Sequence, residues 1–347
     1  MMEKPLSRGV NATFGLGLFG VISLAWGVCY ALEPLEKLPA PLRTNGKQTL
    51  SSVAELDQRL AAITVEILDA EERVALGTIV REDGLVVTKA SELGWKTVVR
   101  LPDSREVLPV SVAVDENNDV AALRLDVSLT HVAPLHEVVR VSRGKILVSP
   151  SGPKRSAKIG IVSANSRSIK REGGALGILM GRQGLALGGV QVGQVLEETA
   201  AARAGIQQGD IISSVNGEVV LLVEQLQAAI AAHHPGENVE LMLHRGEETL
   251  NLNVTLGFRS TYFGHFDRNQ LLSGETSTRL SGFEQVMQHD IPVHVRSMGG
   301  AVMDLSGRVI GINIARVDRV TTFALPTTLL RRVLAKLGDE FKLRDAE

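Results

Sequence analysis

Ala201-Ala202-Arg203-Ala204-Gly205-Ile206-Gln207-Gln208-Gly209-Asp210-Ile211-Ile212, followed by Val215-Asn216-Gly217, decides the reading of this chain. The Ala-rich stretch from Thr199 to Ala204 predicts a short helix, and Gly205 stops it. Asp210 to Val215 then reads as a strand, with a turn at Asn216-Gly217. Downstream, Val223 to Ala232 places Leu226, Ala229 and Ile230 at helical spacing before Pro235-Gly236 ends the run. Two strands, Val239 to His244 and Leu250 to Leu256, follow around Arg245-Gly246. Upstream, Gly174 to Met180 and Val190 to Leu196 also read as strands.

With Ala175-Leu176-Gly177-Ile178 added as a carboxylate-binding loop, this segment resembles a PDZ domain of the bacterial protease type, placed over residues 169–257. The resemblance implies a groove for protein C-termini. Successive backbone N–H groups cradle the terminal carboxylate, and the peptide adds as a strand to a sheet edge. Ala175, Leu176, Gly177, Ile178, Leu226 and Ile230 are the expected groove residues, with Lys170 and Arg171 just upstream as further positive charge.

On either side, short strands recur between turns: Thr64 to Leu68, Val74 to Val80, Leu85 to Thr88, Thr97 to Leu101, Val107 to Val114, Val120 to Leu125, Ile146 to Ser149 and Ile159 to Ala164. A second β-rich piece runs from Phe283 to Leu325, and a helix from Thr327 to Leu337 carries Leu329, Leu330, Val333 and Leu337 on one face. These flanks resemble the chymotrypsin-like barrel of HtrA serine proteases. Gly77 to Thr88 matches the hairpin before the catalytic His, Asp115 to Leu125 the strand of the catalytic Asp, and Gln288 to Asn313 the region of the nucleophile. The expected fold is therefore mainly β: a double barrel in parts 51–168 and 282–347, with the α+β PDZ unit inserted and a loop at 258–281.

The same alignment implies a broken triad. Asp119 keeps the carboxylate, but the family's Thr-Asn-x-His becomes Thr88-Lys89-Ala90-Ser91, and Met298 stands at the nucleophile position. Val295 and Arg296 replace a Pro and a Gly of the oxyanion loop. A thioether forms no acyl-enzyme, and serine is no base at neutral pH. The expectation is a pseudoprotease that binds C-termini, including those of misfolded envelope proteins, and that forms homo-oligomers in some state. The alternative is an active endopeptidase of envelope quality control with non-standard residues, for which Ser297, His289, His294, His131 and His136 are the candidates.

Composition bounds the rest. A 44% hydrophobic and 22% charged chain of 347 residues has the balance of a folded protein with two or three domains. A net charge of −2 without a basic run argues against nucleic acid. The single cysteine, Cys29, leaves the folded part without disulfides or a thiol nucleophile, and no spacing fits a metal or cofactor. Lys4 and Arg8 precede an uncharged run from Gly9 to Leu32, ~36 Å long as a helix. Residues 1–32 are expected to be a signal anchor or a signal peptide, cytoplasmic at the basic end. Pro34, Pro39 and Pro41 make 33–50 a tether toward the extracytoplasmic side.

Overall fold

The computed structural model describes residues 37–344 apart from 138–140, 153, 155–156 and 264–271. The expected anchor or signal segment lies outside the described residues, among which no helix is long and apolar enough to cross a membrane.

Two short helices open the described chain, α1 (Lys47–Ser51) and α2 (Ala54–Ile63). The tether expectation for 33–50 needs correction here, because the chain is already docked at Asn45. Its side-chain amide donates to Ile159 O at 2.9 Å and accepts from Ile159 N at 2.7 Å. Ser51 and Ser52 return their hydroxyls to Gln48 O and Thr49 O. The next helix therefore starts from Val53 without a side-chain cap.

The first sheet contains β1 (Thr64–Asp69), β2 (Glu72–Ile79), β3 (Leu85–Lys89), β4 (Thr97–Arg100), β5 (Glu106–Val107), β6 (Pro109–Asp115) and β7 (Val120–Leu125), in the order β5-β4-β1-β2-β3-β7-β6. Val65, Ile67, Ile79, Val86, Leu123 and Leu125 fill one face. The single strand expected over Val107 to Val114 is two strands, since Pro109 brings no N–H to a ladder. All of β3 is buried because its second face, Leu85 and Val87, packs against other elements.

Next come β8 (Ile146–Pro150) and β9 (Ala157–Ile169), which begin the second barrel. The chain then leaves it. The inserted unit holds β10 (Gly174–Ala175), β11 (Ile178–Gly184), β12 (Gly189–Val195), α3 (Ala200–Arg203), β13 (Ile211–Val215), β14 (Glu218–Val219), α4 (Val223–Ala231), β15 (Asn238–Arg245), β16 (Glu248–Thr255), β17 (Gly257–Phe258) and α5 (Arg259–Phe263). Its main sheet runs β11-β12-β13-β15-β16 around Val190, Ile212, Leu226, Leu241 and Leu243, all 0% exposed. The strand expected over Gly174 to Met180 is broken into β10 and β11 by Gly177, which turns at φ +80°.

β18 (Phe283–His289), β19 (Ala301–Asp304), β20 (Val309–Asp318) and β21 (Thr321–Pro326) complete a closed barrel ordered β18-β21-β20-β19-β8-β9. Phe283 of β18 pairs with Ile169 of β9, so the insertion departs and returns at neighbouring backbone positions. A domain placed there leaves the barrel ladder intact, which is the physical condition for tolerating it. The final helix α6 (Thr327–Arg344) buries Leu329, Leu330, Val333 and Leu337 against Leu85, Val87, Ala122, Phe283 and Leu325. At about 1.5–3 kcal/mol for each buried aliphatic side chain, this face holds strands of both sheets together.

Candidate functional site

Ser91 sits on the 3-10 turn Ala90–Glu92 that ends β3, and Asp119 on the turn before β7 with φ +58°. The pairing of β3 with β7 brings them together. Ser91 N donates to Asp119 Oδ1 at 2.7 Å, and Ser91 Oγ donates to Oδ2 at 2.9 Å. The carboxylate thus grips the side chain at the histidine position, but that side chain is a hydroxyl. Lys89, fully buried, places its ammonium on the same carboxylate. Glu92 beside them has its carboxyl pushed up, by burial first, with Lys89 opposing and Asp119 adding to the shift. This cluster is a buried ion pair with a hydroxyl attached, and the side chains it brings together are a hydroxyl, an ammonium and two carboxylates.

Met298 is not part of that cluster. Its side chain is 0% exposed and packs with Leu147, Val162, Met287, Ile291, Val302 and Ile310 inside the second barrel. Its carbonyl accepts from Leu76 N at 2.9 Å, which pins the loop to β2. Ahead of it, Val295–Ser297 forms a 3-10 turn. The N–H groups from Arg296 to Met298 each have an internal acceptor. Arg296 N donates to His294 Nδ1 at 3.2 Å, Ser297 N to His294 O at 2.9 Å and Met298 N to Val295 O at 3.2 Å. Gly299 cannot be replaced: at φ +87°, a Cβ would lie 1.9 Å from Leu76 O.

The residues considered as substitutes hold structural places. Ser297, 0% exposed, donates its hydroxyl to Ser151 O at 2.6 Å. His289 is buried. Its Nδ1 accepts from Ile291 N, so Nε2–H donates to Asn313 Oδ1 at 2.8 Å, and Asn313 in turn donates to Ser149 Oγ. Burial pulls its pKa down to about 4, against the raising effects of Asn313 and Asp290. A neutral imidazole with both nitrogens occupied is a strut. His294 and His131 are exposed, paired respectively with Glu275 and Thr130.

The groove of the inserted unit is of a different kind. β11 is an edge strand, and α4 lies beside it. Between them a cleft of about 230 Å³ is lined by Ala175, Leu176, Gly177, Ile178, Met180, Val223, Gln227, Ile230, Arg259 and Phe263. Leu226, expected in the groove, is corrected to a core position. It is 0% exposed and one residue out of phase, and Val223, Gln227 and Ile230 present the groove face of α4. Lys170 and Arg171 do not line the cleft; among the described lining residues the one ionisable side chain is Arg259, on a segment that reads from sequence only as a loop. No pattern before the fold marks Arg259.

Leu176 and Gly177 lie between β10 and β11. Their carbonyls accept from Ala201 N at 2.8 Å and Leu196 N at 3.0 Å, which fixes the loop from behind. Among the described residues neither of their N–H groups has an internal acceptor. A Cβ at Gly177 would fall 2.3 Å from Thr199 Cβ, so the glycine is required by the packing behind the loop. At the far end Val223 N donates to Gln183 Oε1, which ties α4 to the end of β11.

The first part of the expected loop, up to Phe263, is built into elements. β17 pairs with β10, and Tyr262 of α5 is buried, its hydroxyl accepting from Ala200 N at 2.9 Å and from Arg203 at 3.0 Å. The inserted unit therefore extends to Phe263, past the expected end at 257. Glu172 bridges the return of the chain: it accepts from Ser260 N at 2.9 Å, from Ser260 Oγ at 2.8 Å and from Ser281 Oγ at 3.4 Å.

Residues 157–256 match the PDZ domain family. The match begins inside β9, a barrel strand, whereas the PDZ sheet begins beyond Gly174. The protein described as a probable periplasmic serine endoprotease DegP-like from Halomonas elongata is 25% identical over 272 residues, covering 54% of this chain and 57% of that one. The periplasmic pH-dependent serine endoprotease DegQ of Escherichia coli is 40% identical over 68 residues, 20% of this chain and 15% of its own. The chain thus spans only about half the length of the first of these relatives. Among solved structures, the HtrA-type protease AlgW with decapeptide aligns with 59% of this chain and 98% of its own at 16% identity, with a TM-score of 0.28. Over part of its length the chain is thus similar to periplasmic serine endoproteases of the DegP-like and DegQ kind, and its residues 157–256 match the PDZ domain.

Proposed function

We propose that this chain is a pseudoprotease of the cell envelope: its PDZ groove captures protein C-termini, and its barrels do not cleave them. The observation that carries the reading is the contrast in backbone donors. The Leu176 and Gly177 N–H groups are free to hold a terminal carboxylate, whereas the Arg296, Ser297 and Met298 N–H groups are all bonded internally. Without free donors there is no oxyanion hole, and losing even one such donor typically costs about a hundredfold or more in turnover.

The edge position of β11 supports strand addition, and the apolar lining from Ile178, Val223 and Ile230 supports an apolar last residue. Placement outside the cytoplasmic membrane is supported by Lys4 and Arg8 before the apolar run to Leu32, and by the word periplasmic in the relatives' descriptions. Exposed C-termini of misfolded envelope proteins are the ligands this reading favours.

Two measurements on the purified chain test it. Incubation with unfolded casein and with a fluorophosphonate probe is expected to give neither cleavage nor labelling; labelling abolished by Ser297→Ala would restore the endopeptidase reading. Titration with short peptides ending in Val, Leu or Phe is expected to favour the free acid over the amide by about tenfold. Equal affinity would remove the carboxylate cradle.

A further inference from the structure

We infer that Arg259 is the counter-charge for the ligand's terminal carboxylate, supplied to the groove by α5 from beyond the PDZ sequence pattern. The inference rests on the peptide-capture reading above and adds the residue that sets its specificity.

Placement comes first. β17 pairs with β10 in the register Gly174↔Phe258 and Ala175↔Gly257. Arg259 follows Phe258 directly, one position past the Gly174 pair, and lines the same cleft as the Ala175–Ile178 loop. One helical turn later Phe263 lines the same cleft. Its ring lies 5.9 Å from the Arg259 guanidinium carbon, close enough to restrict the arginine's wandering.

Charge comes second. Among the described residues lining the cleft, Arg259 is the only ionisable side chain. It is exposed, and among the described residues it makes no ion pair, although carboxylates are nearby. Glu172, the nearest in the local network, is engaged by Ser260 and Ser281 instead. Without an ion pair among the described residues, an arginine at the mouth of this amide-lined pocket is complementary to an anion, and its planar fork suits a carboxylate.

Rigidity comes third. α5 is held by the Tyr262 hydroxyl against Ala200 N and by Ser260 against Glu172, so Arg259 stands on an anchored turn. Reading the terminal carboxylate therefore depends on a segment that also carries the chain back to the barrel.

The test compares the full chain with Arg259→Gln and Arg259→Lys, titrated with free-acid and amidated forms of one Leu-ended peptide at low and high salt. In the unaltered chain the free acid is expected to bind better. Arg259→Gln should reduce that preference about three- to tenfold and leave amide binding unchanged, and Arg259→Lys should retain most of it. High salt should narrow the preference in the unaltered chain and do nothing in Arg259→Gln. If the unaltered chain prefers the acid and Arg259→Gln prefers it equally, the Arg259 assignment is overturned and the cradle stands. If the unaltered chain shows no preference, the capture reading itself fails and takes this assignment with it.

Discussion

Two loops of this protein present runs of backbone N–H groups, and they end in opposite states. At Val295–Gly299 the chain winds into a 3-10 turn whose amides bond to His294 and Val295, and the side chain that follows, Met298, dives into the barrel core. At Ala175–Ile178 the Leu176 and Gly177 carbonyls are tied down from behind, while their amides have no acceptor among the described residues and the loop lines the cleft. Among the described residues, the Arg296 to Met298 amides of the first loop are bonded within the fold and those of Leu176 and Gly177 in the second are not. What separates them is where each loop's donors point, since both are glycine-containing turns with fixed carbonyls.

The largest effect expected is a failure. Met298→Ser combined with Ser91→His should still not cleave casein, remaining about a millionfold below a complete triad, because the oxyanion donors stay bonded inside the turn. Measurable turnover in that double variant would mean that the loop opens readily and would erase the contrast. Next, Asp119→Ala should destabilise the chain by about 3–5 kcal/mol in urea unfolding, since it strands a buried Lys89. Replacing both partners, Lys89→Met with Asp119→Asn, should recover much of that loss; no recovery would show that the ion pair does more than neutralise itself.

Met298→Ser alone should cost about 3 kcal/mol, through a cavity and a buried hydroxyl, while Met298→Leu should cost less than about 1.5 kcal/mol. Equal tolerance of both would place the side chain outside the core. The buried His289 under this loop gives a pH signature. Its folded pKa of about 4 lies below its ordinary 6.5, so the unfolded chain takes up the proton first. Stability from this site is full above pH 6.5 and is lost as pH falls toward about 4, by up to about 3 kcal/mol. His289→Gln should flatten that slope in urea midpoints measured across the window, and an unchanged slope would assign the pH dependence elsewhere.

The smallest effect concerns the groove's far end, where Gln183 ties to Val223 N. In Gln183→Ala, lengthening a bound peptide should improve affinity by no more than about threefold, and in the unaltered chain not at all. A gain from length in both would show that the tie yields freely to ligand.

Much of this was legible in the chain itself. Alternating short apolar runs and turn residues gave the strands, and the stretch from Ala201 to Ile212 marked the PDZ unit, because periodicity and turn chemistry are local properties of the chain. Leu226 was misread because helical spacing fixes a stripe but not its phase, and neighbouring residues one step apart face core or cleft.

Three things only the tertiary structure decided. Arg259 reaches the groove because β17 pairs with β10, a contact between residues some eighty positions apart that no local pattern encodes. Asn45 docks through a bond to Ile159 that its Pro-rich neighbourhood disguises. The state of the two donor loops depends on which acceptors the fold brings within about 3 Å, because an amide's availability is a property of its surroundings and not of its residue type.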